Sequence, residues 1–111
     1  MPQYVMLLWE NPSAFANASP ADMQAVIQEY VAWRQRMGEA GKVTGGLKLT
    51  DDGGKRLKGG TVQDGPYAEA HEVIGGLFEI EATDYADAVA VASSCPHLRN
   101  GWIELREVEP T

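Results

Sequence analysis

The hydrophobic and polar positions along this chain alternate between two periods, and their order predicts a fold. Residues 4–9 form an unbroken run of β-favouring apolar side chains closed by Glu10-Asn11-Pro12-Ser13, the pattern of a strand buried on both faces. After a loop, Ser19-Pro20-Ala21-Asp22 opens a helix with a capping serine, a proline at the first helical position and an acid at the third. Met23, Val26, Ile27, Tyr30, Trp33 and Met37 recur at three-and-four spacing on its core face, and the helix ends between Gly38 and Gly41. Residues 47–50 alternate as a half-buried strand, 51–54 make a turn, and 55–63 continue as a polar extended arm carrying Leu57 and Val62. Residues 73–82 form the next strand, with Phe78, Ile80 and Ala82 on one face and Leu77, Glu79 and Glu81 on the other. Thr83-Asp84 caps a second helix with an apolar stripe of Tyr85, Ala88, Val89 and Ala92, stopped at Pro96. Asn100-Gly101 turns the chain into a last strand, 102–108, where Ile103 and Leu105 alternate with Trp102, Glu104 and Arg106.

The order is βαββαβ, an α+β arrangement on the ferredoxin-like plan with a four-stranded antiparallel sheet. Two helices cover one face of such a sheet. Because residues 4–9 are apolar on both sides, the open face needs a cover, and a second copy of the chain is the simplest one.

Composition narrows the partners. At 111 residues there is room for one domain, and 44% hydrophobic with 23% charged residues fits neither disorder nor a membrane protein. Nine basic against sixteen acidic residues give a net charge of -7, which repels a phosphate backbone, so nucleic acid is not an expected partner. The N-terminal apolar run is too short for a secretory leader and has no basic residues before it, and the lone Cys95 cannot form an internal disulfide; a cytoplasmic location is expected. The glycines at 53, 54, 59 and 60 match no phosphate-binding loop, and no cofactor is expected.

Chemistry concentrates in residues 62–76, V-Q-D-G-P-Y-A-E-A-H-E-V-I-G-G, where polar groups behind a Gly-Pro corner run into a strand. Asp64 suits a general base, or a turn opener bonding the backbone of the corner. His71 suits proton transfer near neutrality, or a surface position beside Glu69 and Glu72. Tyr67 suits stacking on a flat ligand or plain packing; Glu69 suits a ligand contact or solvation. Arg106 suits a clamp on a ligand carboxylate or a pairing with a protein acid. Neither Cys95-Pro96-His97 nor Asp64/Glu69/His71 has the paired spacing of a zinc site, and no metal is expected.

The run Asp64-Gly65-Pro66-Tyr67-Ala68-Glu69-Ala70-His71-Glu72, followed by Gly75-Gly76, resembles the signature of the YCII-related proteins, in the branch named for its D-G-P-F-A-E-T-K-E motif. Met6-Leu7-Leu8, the helix from Asp84 to Ala92, Cys95-Pro96, Gly101 and Glu104-x-Arg106 agree in order. The resemblance implies a ferredoxin-like subunit that dimerises through its sheet into an α+β barrel with a small cavity near the motif. It implies no settled reaction: one relative is associated with dechlorinating an aromatic ring, and others are found beside sigma factors. Tyr67 stands where phenylalanine is usual, His71 where lysine is usual, and Glu107 where proline is common. Shorter relatives pair a histidine on the first helix with the motif aspartate, and this chain has none there, so that dyad does not carry over. Two expectations follow. One is an enzyme using Asp64 and His71 as acid/base groups on a small aromatic or carbonyl molecule. The other is a non-catalytic dimer that binds a ligand or a regulatory protein.

Overall fold

A computed structural model describes residues 1–65 and 72–111. The elements are β1 (Gln3–Glu10), α1 (Pro20–Glu39), β2 (Val43–Lys48), β3 (Lys55–Lys58), β4 (Thr61–Asp64), β5 (Val73–Glu81), α2 (Tyr85–Ala92), a 3-10 turn (Pro96–Arg99) and β6 (Gly101–Glu107). Strands β2-β5-β1-β6 form one sheet in that order, and every neighbouring pair is antiparallel. This is the strand order that the ferredoxin-like plan requires. Among the described residues, no helix is long and apolar enough to cross a membrane.

The pairing register sorts the side chains into two faces. Gly46, Phe78, Met6 and Leu105 form one row across the sheet, and Val43, Ile80 and Tyr4 begin another; these point to the helices. There they meet Trp33 of α1 and Ala88, Val91 and Ala92 of α2 in a single core. The opposite face carries the rows Leu47–Leu77–Leu7–Glu104 and Gly45–Glu79–Val5–Arg106, which neither helix covers. Leu47 on this face is 66% exposed, whereas Met6 is fully buried.

Both helices start as the sequence dictates. Ser19 and Asp22 make a reciprocal capping box at α1, and Asp84 caps α2 by accepting from the Asp87 amide at 2.9 Å. The core faces are narrower than the apolar spacing predicts. Ile27 is half exposed and Tyr85 and Val89 are exposed, while Val91 takes the buried place in α2. Tyr85 instead sets its ring edge-on to Tyr4, with centroids 4.9 Å apart, and its hydroxyl accepts the Glu107 amide, tying α2 to β6.

The middle of the chain departs furthest from expectation. The second sheet strand starts at Val43 rather than Leu47, because Gly45 and Gly46 are strand residues here. A Cβ on Gly46 would come within 2.7 Å of the Phe78 ring, so the glycine makes room for a core aromatic on the next strand. The excursion that follows is a hairpin of its own, in which β3 pairs with β4 across Gly59-Gly60 and not with β2.

Asp87 has a further role at the start of α2. Its carboxylate accepts the Thr83 amide at 2.9 Å, and that bond, with the more distant charge of Lys42, holds its pKa below the usual carboxylate value. A depressed folded-state pKa contributes stability above the unfolded pKa and loses it as pH falls through the folded one. Asp87→Asn should therefore be less stable than the parent at neutral pH, and the gap should close in acid. Urea midpoints of the two proteins from pH 7 down through the carboxylate range will check this.

Candidate functional site

The sheet end where β1 finishes and β5 and β6 begin brings the most chemistry together. Trp9 pairs with Ile74 on one side and Trp102 on the other, all on the uncovered face. The two indoles stack, with centroids 5.2 Å apart and planes within 3° of parallel. Trp9 Nε1 donates to Glu104 Oε1 at 3.0 Å, and Arg106 Nη1 lies 3.4 Å from the other oxygen of that carboxylate. Trp102 Nε1 donates to Glu72. Glu72 is the residue at which the motif segment re-enters the described structure.

A shift in register fixes this arrangement. Between Leu8 and Trp9 the partner strand carries one extra residue, Gly75, so that Ile74 rather than Gly75 lies opposite Trp9. A Cβ on Gly75 would run into the Glu10 carboxylate, which lies across the bulge.

Behind the sheet end is a histidine that sequence reasoning left aside. His97 is 3% exposed, and both ring nitrogens are engaged: Nε2 lies 2.8 Å from the Trp9 carbonyl oxygen and Nδ1 2.7 Å from the Tyr30 hydroxyl. A carbonyl only accepts, so Nε2 carries the hydrogen; in the neutral ring Nδ1 then accepts from Tyr30. Burial, reinforced by Cys95, Glu10 and Glu29, pushes the Tyr30 pKa well above its ordinary value, so this hydroxyl keeps its proton. The chain of bonds thus runs from α1 through the 3-10 turn to the backbone of Trp9. Gly101 permits the approach, since a Cβ there would sit 2.7 Å from His97 Nε2 and closer still to the Trp9 carbonyl. The readable signal is a lone histidine four residues before a glycine that starts a strand.

The residues singled out in the sequence divide as follows. Asp64 ends β4 on the hairpin, exposed, with its carboxylate paired to the Lys55 ammonium across the ribbon. Tyr67, Glu69 and His71 fall in 66–71, outside the described residues. Arg106 is exposed on the uncovered sheet face and faces Glu104. Asp64 and Arg106 therefore sit on different sheets with different partners, and Arg106 is the one that joins the indole pair. Cys95 is buried, and burial raises its thiol pKa despite a bond from the His97 amide. Among the described residues, no three His, Cys, Asp or Glu side chains converge as a metal site requires.

A hollow of about 480 Å³ lies between α1 and residues 93–99. Its polar groups are largely spent on the protein itself. Arg99 pairs with Glu29 at 2.5 Å, the Ser93 hydroxyl donates to the Val89 carbonyl, and the Ser94 hydroxyl donates to Val91 while accepting the Trp33 indole N–H.

Residues 3–111 match the family profile of the YCII-related domain, nearly the whole chain. The chain belongs to the YCII-related family. A comparison with curated proteins finds no match. In this YCII-related domain Asp64 ends the hairpin and Glu72 stands beside the Trp9–Trp102 pair.

Proposed function

We propose that this YCII-related protein, of the D-G-P-F branch, is a cytoplasmic homodimer closed through its uncovered sheet faces. It takes a small flat molecule, aromatic or carbonyl-bearing, beside Trp9 and Trp102. The observation that carries the reading is the stacked indole pair. Hydrogen bonds to Glu104 and Glu72 satisfy both N–H groups, so the pair presents π surface rather than donors. A second subunit over the rows Leu47–Leu77–Leu7 and Ile74–Trp9–Trp102 would take that apolar surface out of water. Asp64 and His71 are the acid/base groups, with Tyr67, Glu69 and Arg106 on the ligand.

A non-catalytic dimer that binds a ligand or a regulatory protein is the second reading. It is favoured by the exposed setting of Asp64 and by its ion pair with Lys55, since proton-transfer catalysis is served by a group drawn out of water.

Titrating the His71 imidazole by NMR separates these readings. The enzyme reading expects His71 to titrate away from a free imidazole and to relax toward it in Asp64→Asn. A His71 that titrates freely and ignores the substitution leaves the binding reading.

A further inference from the structure

We propose that the β3–β4 hairpin is an arm that docks on a second copy of the chain; the inference rests on the homodimer proposed above and adds a contact that the sheet faces alone do not supply. All eight strand residues of the hairpin are exposed. Leu57 and Val62 pair directly across the ribbon, at 73% and 59% exposure, so two apolar side chains stand together in water. An isolated two-stranded hairpin is marginal without something to pack on. The shape of the chain agrees: its radius of gyration is 15.4 Å, against roughly 13 Å for a compact domain of about this length.

Charge selects the occupant. Residues 55–64 hold Lys55, Arg56 and Lys58 against Asp64, a net +2, which leaves -9 on the rest of the chain. A basic arm on an acidic body is self-complementary under two-fold symmetry, because each arm meets the other body and the exchange closes. A polyanion such as nucleic acid would satisfy the arm but would be repelled by everything around it. The arm also continues from the proposed interface. It leaves the sheet after β2, whose Leu47 lies on the uncovered face at its edge. The acids that this face carries include Glu79, Glu81 and Glu104, the last already bonded to Trp9 and facing Arg106. The arm therefore lays Leu57 and Val62 against the partner subunit; Lys55 shares that face of the ribbon with them, and Arg56 and Lys58 stand on its other face.

The test uses the intact protein. Normal and 15N-labelled chains are unfolded together, refolded, and treated with a zero-length carbodiimide that joins lysine amines to carboxylates in contact; digested peptides are then weighed. Contacts between subunits make about half of the linked product mixed in label, whereas contacts within a subunit make none. Mixed-label links from Lys55 are expected beside the same-label link that its pairing with Asp64 makes, with Glu79 and Glu81 as main acceptors, and they should fall several-fold in Leu57→Ser/Val62→Ser. If the protein is a dimer by sedimentation but the arm lysines give same-label links only, the arm inference is wrong and the dimer stands. If untreated protein sediments as a monomer up to high concentration, both are wrong.

Discussion

Trp33→Ala should lower the stability of the fold by about 3–5 kcal/mol, the cost of removing a large aromatic from a packed core. Trp33 is 1% exposed and the largest fully buried side chain. Its ring packs on Phe78 with centroids 5.1 Å apart, which joins α1 to β5, and its N–H donates to Ser94 at 2.9 Å, which joins α1 to the end of α2. One residue thus holds both helices to one face of the sheet. For a domain of this size that loss corresponds to roughly 10–20 °C in melting temperature, or much of a total stability of about 5–15 kcal/mol. Trp33→Phe keeps most of the apolar volume and gives up the bond to Ser94, so it should cost nearer 1–2 kcal/mol. Urea unfolding of the three proteins will show whether the ring or the hydrogen bond dominates; equal losses would mean that packing is not what the indole supplies.

His97→Leu should cost about 2–4 kcal/mol, because it removes one side chain and strands two buried groups, the Trp9 carbonyl and the Tyr30 hydroxyl. Tyr30→Phe deletes only the second bond and should cost about 1 kcal/mol. The two changes share a partner, so in the double variant the losses should fall short of additive. The effect also has a place. Because the acceptor is the backbone of Trp9, His97→Leu should disturb the stacked indoles, readable as altered near-ultraviolet dichroism under conditions where the protein is still folded. A destabilised variant with an unchanged aromatic spectrum would show that His97 holds the 3-10 turn alone.

The elements that sequence foretold best are those whose local chemistry and burial agree. The capping serine, Pro20 and Asp22 at α1, the apolar residues 4–9, and the alternation of Phe78, Ile80 and Ala82 each carry one message. Where they disagree, prediction failed. Gly45 and Gly46 have poor strand propensity, yet the bulk of Glu79 and Phe78 on the adjacent strand requires small residues there, and that demand comes from a residue more than thirty positions away. Ile27, Tyr85 and Val89 follow helical spacing, but the sheet under each helix is too narrow to cover a full stripe. At the candidate site, Arg106 and its carboxylate neighbour were legible from the alternation of the last strand. The His97–Tyr30 bond was not, because it joins residues 67 apart through a turn that has no periodicity.

Gly75 sets a phase. Upstream of it, β5 is one step out of the alternation that governs 76–81, which is why Glu72 and Ile74 share a side with Trp102. Were Gly75 instead drawn into the regular ladder opposite Trp9, the strand would still pair and stay apolar, but 72 and 74 would exchange sides with 73, turning an acid toward the helices and taking it from the indole it serves; deleting it would leave 74 opposite Trp9 and both residues on their present side. The side on which Glu72 meets the sheet is therefore set by one glycine's standing outside the ladder, and a side chain at 75, which would run into the Glu10 carboxylate, would be felt at the indoles through the backbone.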